Sequence, residues 1–118
     1  MGKYGSRWLG DSHASIEYLS YSGCGIMLMN VFGIPMAGAD ICGFLENTTP
    51  ELCARWTVVG AFYPFSRNHN SIFLIDQEPY APQFDAVYEV KDGKDLTYSD
   101  IMIQGIRNKY HLINYYYT

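Results

Sequence analysis

Apolar residues at Ile16, Leu19, Ile26 and Met27 recur at roughly helical spacing after Ser12, a residue able to cap a helix, and predict a helix interrupted near Gly23. That segment ends at Gly33. Residues 34–39 are almost all apolar and lead to Asp40, which predicts a short strand buried on both faces. Beyond the loop at 43–47, Thr48 or Thr49 can cap a second helix with Pro50 in its first turn, where a missing N–H costs little. Leu52, Trp56 and Val59 then share one face, and Gly60 closes the helix. The aromatic run 61–65 predicts another strand, its pairing confined by Pro64. Residues 66–70 read as a polar loop. Residues 76–99, with prolines and a Lys91-Asp92-Gly93-Lys94 turn signal, read as a long irregular connection. From about Ser99, a stripe at Ile103, Ile106, Tyr110, Ile113 and Tyr117 predicts a last helix that is cut rather than capped.

With a strand ahead of Asp11, the order is strand, helix, strand, helix, strand, connection, helix. Such alternation predicts an α/β fold of parallel βα units. The polar clusters at Asp11, at 40–44 and at 67–70 each follow a strand, the edge of a parallel sheet where α/β proteins gather catalytic groups.

Composition narrows the function. With 48% hydrophobic and 17% charged residues, 11 Tyr and 6 Phe, the 118 residues need a buried core and are expected to form one domain or part of one. The formal charge of -4 offers no electrostatic footprint for nucleic acid or anionic lipid. No apolar run is long enough to span a bilayer, and Met1-Gly2-Lys3-Tyr4 does not begin a signal peptide. Cys24, Cys42 and Cys53 match neither a paired-CxxC zinc pattern nor a dense disulfide scaffold. Asn47-Thr48-Thr49 fits the glycosylation acceptor pattern, which has meaning only in the secretory pathway.

Three blocks carry a resemblance: Gly2-Lys3-Tyr4-Gly5-Ser6-Arg7-Trp8-Leu9-Gly10-Asp11, Gly33-Ile34-Pro35-Met36-Ala37-Gly38-Ala39-Asp40-Ile41-Cys42-Gly43-Phe44, and Gly60-Ala61-Phe62-Tyr63-Pro64-Phe65-Ser66-Arg67-Asn68-His69-Asn70. They closely resemble, in order and nearly without gaps, blocks of family 31 glycoside hydrolases of the α-glucosidase type. The resemblance runs from Gly2 to about Tyr80 and returns weakly through residues 106–118. It implies that residues 1–118 are the C-terminal part of a (β/α)8 TIM barrel, about strands 6 to 8 with their helices, with 76–99 as a connection within it.

The same resemblance assigns roles. Asp11, in a WxGD block, is expected to be the general acid/base; a retaining glycosidase needs such a carboxyl protonated to release the leaving group and then ionised to activate water. The plain alternative is a helix cap beside Ser12. Trp8 is expected to lay a ring beside the sugar, against ordinary core packing. His69 is expected to hydrogen-bond sugar hydroxyls, against a surface position. Asp40 and Arg67 are expected to bridge adjacent strand ends and hold the wall of the site, with sugar contact by Asp40 second. Phe44 would line the entrance or anchor its loop. Cys42 and Cys53 match a disulfide of lysosomal and intestinal members, one that would contribute roughly 3 kcal/mol, against two buried thiols. Cys24 is then a spare thiol. The pair and a glycan at Asn47 imply a secretory, lysosomal or extracellular setting.

Three features depart from the family. The nucleophile belongs to a WxDMNE block that no stretch matches among seven Asp and five Glu, so the chain alone is expected to be inactive and to need the remainder of the barrel. Ile16 stands where relatives usually carry Trp, and Gly23-Cys24 replaces an apolar-Pro pair, both on the helix behind the site. The implied activity of the intact parent is retaining hydrolysis of terminal α-glucose from maltose-like oligosaccharides, without metal or organic cofactor. The alternatives are a noncatalytic stand-alone protein that binds sugar or pairs through open strand edges, and a family member acting on α-xyloside or glycoprotein-glycan glucose.

Overall fold

Ser15, not Ser12, starts the first helix. In the computed structural model, which describes residues 2–118 and leaves Met1 outside them, Ser15 is extended (φ -142°, ψ 157°) and its hydroxyl accepts the Tyr18 N–H. Ser12 is occupied elsewhere, because its carbonyl accepts the N–H groups of both Phe44 and Leu45 at 2.8 and 2.9 Å. Helix α1, Ile16–Val31, runs unbroken through Gly23, with Ser22 and Ile26 buried on its inner face. The expected interruption is absent because those flanking contacts hold the turn that glycine weakens.

Strand β1, Arg7–Trp8, pairs in parallel with β2, Ala37–Gly38. After Ala39 the same extended run continues as β3, Asp40–Ile41, which pairs in parallel with β4, Arg67–Asn68. Carbonyls of Met36 and Gly38 accept from Arg7 and Leu9 on one side, while Ala37 accepts from Phe65 on the other. Residues 37–41 are therefore flanked on both edges. Gly38 is required there, since a Cβ would overlap the Phe65 carbonyl. The expected strand over 34–39 is corrected in its first half. Met36 is 48% exposed and Pro35 is exposed, because pairing reaches the run only at the Met36 carbonyl.

Helix α2, Pro50–Gly60, is capped by Thr49, whose hydroxyl accepts the Leu52 N–H at 3.2 Å. Leu52 and Trp56 are buried, but Val59 is 39% exposed and leaves the expected face, where Cys53, Thr57 and Gly60 stand instead. The strand expected over 61–65 does not form. The N–H groups of Ala61, Phe62 and Tyr63 go to carbonyls at the end of α2, leaving them unavailable to a sheet, and the pairing moves to Arg67–Asn68 in the expected polar loop.

Residues 76–99 are not irregular throughout. A 3-10 turn at Pro82–Asp85 buries Phe84, and strands β5, Val87–Lys91, and β6, Lys94–Thr97, form an antiparallel hairpin around Asp92 and Gly93, both at positive φ. Both hairpin strands are largely exposed, which is why no alternating pattern announced them. Helix α3, Tyr98–His111, packs on α2 through Met102 and Gly105, not through the expected stripe. Ile103, Ile106, Tyr110, Ile113 and Tyr117 are all exposed. The helix does not continue through the end; it closes at Leu112, and a short α4, Ile113–Tyr117, follows. Trp56, Phe84 and Met102 are fully buried at the centre, each stabilising the core by roughly 1.5–3 kcal/mol.

Candidate active site

The parallel register puts the sequence-predicted residues on one edge of the sheet. Trp8 closes β1, Asp40 opens β3 and Arg67 opens β4, with Asp40 directly opposite Arg67. The Asp40 carboxylate is wholly buried, and its Oδ1 accepts from Trp8 Nε1 at 3.0 Å and from Arg67 Nε and Nη2 at 3.2 and 2.7 Å. The guanidinium also lies 5.0 Å over the Trp8 ring. One carboxylate oxygen thus collects an indole and a guanidinium from the two flanking strands, as a buried charge demands. Its second oxygen, Oδ2, is buried and has no partner among the described residues.

The loops beyond these strands are stitched together. Besides the two bonds to the Ser12 carbonyl, Ala14 N–H donates to Leu45 and Ser71 N–H to Phe44, at 2.9 and 3.0 Å. Gly43, at φ +91°, permits the approach, since a Cβ would press on the Ala14 backbone. Phe44 and His69 meet with ring centroids 5.1 Å apart, so the aromatic and the imidazole share one wall. His13 Nδ1 approaches Glu46 Oε2 at 3.5 Å across the same two loops.

Asp11 follows Gly10, which turns at φ +97°, and is exposed. It lines a cleft of about 250 Å³ with Ser12, Tyr18, Tyr21 and Ser22. It does not cap α1, a task performed by Ser15. Behind the sheet, the Ser22 hydroxyl makes a short hydrogen bond with Tyr63, and burial pushes the Tyr63 phenol above its ordinary pKa while the bond to Ser22 acts in the opposite sense.

Cys42 and Cys53 form a disulfide, both sulfurs buried, tying the loop after β3 to α2. Cys24 is free and exposed. Asn47 is exposed, and its Oδ1 accepts the Ile75 N–H at 3.0 Å. Among the described residues no group of three His, Cys, Asp or Glu side chains is arranged to hold a metal ion, and no helix is long and apolar enough to cross a membrane.

Sequence reasoning passed over Gln77. It is 3% exposed, and its Nε2 donates to Asn68 Oδ1 at 3.0 Å and reaches the carbonyls of Ile41 and His69 at 3.4 Å. Nothing local marks it, because a glutamine between proline-flanked residues is polar loop until the rest of the fold closes over it.

Parallel βα units with an acid, a buried ion pair and an aromatic–imidazole wall beyond the strand ends have the architecture of part of an α/β barrel domain. The sequence model of the family described as "Glycosyl hydrolases family 31 TIM-barrel domain" matches residues 1–118. The chain belongs to glycosyl hydrolase family 31. It is 48% identical over 117 residues to the lysosomal acid alpha-glucosidase of Tetrahymena pyriformis, a match covering 99% of this chain and 12% of that protein. Over 79 residues it is 57% identical to the lysosomal alpha-glucosidase of Bos taurus, covering 67% of this chain and 8% of the other. Among solved structures, the family 31 alpha-glucosidase of Bacteroides thetaiotaomicron superposes with a TM-score of 0.80 at 29% identity, over 97% of this chain and 17% of that one. A glucosidase II alpha subunit in a Glc1Man2-bound form superposes with a TM-score of 0.77 at 33% identity, over 92% and 10%. The chain therefore spans about an eighth or less of the length of these curated relatives.

Proposed function

We propose that residues 1–118 form strands six to eight, with their helices, of the barrel of a retaining α-glucosidase. The polypeptide that carries them would release terminal glucose from maltose-like oligosaccharides. The observation that carries this reading is the Trp8–Asp40–Arg67 cluster together with the Phe44–His69 pair beyond the strand ends, in a chain of this family. Asp11 is the acid/base, an exposed carboxyl just after β1. Trp8 and Phe44 offer ring faces to a sugar, His69 contacts its hydroxyls, and Asp40 with Arg67 fixes the wall.

A retaining mechanism needs a second carboxylate about 5–5.5 Å from the acid/base. That nucleophile would come from the remainder of the barrel, so the 118 residues alone are expected to hydrolyse nothing. Similarity to lysosomal and intestinal glucosidases supports a place in the lysosome or elsewhere on the secretory route, with a glycan at Asn47.

The test is Asp11→Asn in the full polypeptide. Turnover of maltose is expected to fall at least about 10²-fold, while the glucosylation step with an aryl α-glucoside, whose leaving group departs without protonation, is hit far less. Equal losses on both substrates would remove Asp11 from the acid role. Sugar binding by an unsubstituted polypeptide that turns over no glucoside would instead point to a noncatalytic binder.

A further inference from the structure

We infer that Gln77 is a positioning residue for His69, acting through a clamp that residues 75–77 place around the end of β4; this rests on the sugar-contact role proposed for His69. Asn68 ends the strand, His69 and Asn70 follow it, and the side chains of the two asparagines turn back. Asn68 Nδ2 donates to the Gln77 carbonyl and Asn70 Nδ2 to the Ile75 carbonyl, each at 2.7 Å. Gln77 completes the grip by donating through Nε2 to Asn68 Oδ1, with the His69 carbonyl also within reach. Its contact with the Ile41 carbonyl ties the clamp to β3. His69 is thus held on both sides by its neighbours' side chains and at its own carbonyl, and its ring remains the free group of the three, set against Phe44.

Burying a primary amide is unfavourable unless it is hydrogen-bonded. Gln77 is buried and its Oε1 meets no donor, so its contribution lies in donation; two of its acceptors, the Asn68 side chain and the His69 carbonyl, belong to the segment that carries His69, and the third is the Ile41 carbonyl of β3. A side chain that contacts substrate must be held within about 0.5 Å of its working position, which an exposed imidazole at a strand end cannot manage unaided. The clamp supplies that constraint without touching the sugar.

The experiment uses the full polypeptide, p-nitrophenyl α-glucopyranoside, and the variants Gln77→Met, which keeps shape and removes the donors, and Asn70→Ala, which opens the exposed side of the clamp. Loss of kcat/KM of about tenfold is expected for Gln77→Met and about threefold for Asn70→Ala, mostly in KM. In a His69→Ala background each should change kcat/KM by less than about twofold, because both act through His69. Effects that multiply in full with His69→Ala, or Asn70→Ala and a folded Gln77→Met with unaltered kinetics, would overturn the inference. If Gln77→Met does not fold, Asn70→Ala decides. Should the unsubstituted polypeptide cleave no glucoside, the function proposed above fails by itself. The clamp is then read from the carbethoxylation rate of His69 by peptide mass spectrometry, expected to rise about threefold in either variant; an unchanged rate rejects it.

Discussion

Asp40 and Arg67 stand 27 positions apart in the chain and meet at 2.7 Å because β3 and β4 pair in parallel with these two residues opposite each other. The pair is asymmetric. Asp40 is wholly buried, whereas the Arg67 side chain is 37% exposed, so loss of the arginine strands a carboxylate with only the Trp8 indole for company.

Arg67→Met is therefore expected to destabilise the polypeptide by about 3 kcal/mol. Adding Asp40→Leu should recover a large part of that loss, since the uncompensated charge disappears with it. Urea unfolding of the single and double variants is the check. A double variant no more stable than Arg67→Met would show that the pair matters for more than neutralising Asp40.

Iodoacetamide should label one cysteine in the folded, unreduced protein and all three after reduction and unfolding, with Cys24 as the first site. Replacing both Cys42 and Cys53 by Ala should cost roughly 3 kcal/mol, the chain-entropy value for a loop of this length. Peptide mapping by mass spectrometry reads the first expectation and denaturant titration the second. Labelling of Cys42 or Cys53 in the unreduced protein would contradict the bridge.

At the start of α3, Thr97 and Asp100 form a reciprocal capping box, with Asp100 Oδ2 accepting from the Thr97 N–H and hydroxyl at 3.0 and 2.9 Å. The bond from the Thr97 backbone, then that from its hydroxyl, hold the Asp100 carboxyl below its ordinary pKa of 3.8. A carboxyl depressed by folding stabilises the fold above its unfolded pKa, and that contribution is lost as pH falls through the folded value. The stability difference between the unsubstituted protein and Asp100→Asn should thus be fully present at neutral pH and shrink below about pH 4. Thr97→Ala should cost about 1 kcal/mol at neutral pH. Chemical unfolding across pH measures both, and a difference that does not change on acidification would refute the carboxylate's part.

Local signals located the helices better than the strands. Thr49 and Pro50 start α2 where cap chemistry puts them, and Gly60 ends it. At α1 two serines compete, and the choice of Ser15 depends on the Ser12 carbonyl being taken by Phe44 and Leu45, more than 30 positions away. The aromatic run 61–65 has the composition of a strand, yet the free carbonyls of α2 capture its N–H groups first. Helical spacing likewise predicted α3 but selected the wrong residues for its contact face, because the missing side chain of Gly105 lets α3 close on Thr57 and Val58 of α2 and leaves Ile103 and Ile106 beside the contact, exposed. The candidate contact residues were assigned from the three blocks, whereas Gln77, a positioning residue, belongs to a stretch without periodicity.

By itself the sequence determined the alternation of strand and helix, the parallel βα character, the residues available for capping and cross-linking, and membership of the family, because these depend on short-range spacing and on blocks of residue identity. Only the tertiary structure decided which polar groups are buried and what satisfies them. Asp40 is enclosed by Trp8 and Arg67 from flanking strands, and Gln77 by acceptors from two more segments. Burial and pairing of this kind are settled by strand register and helix approach, which join positions tens of residues apart and leave no trace in the local pattern.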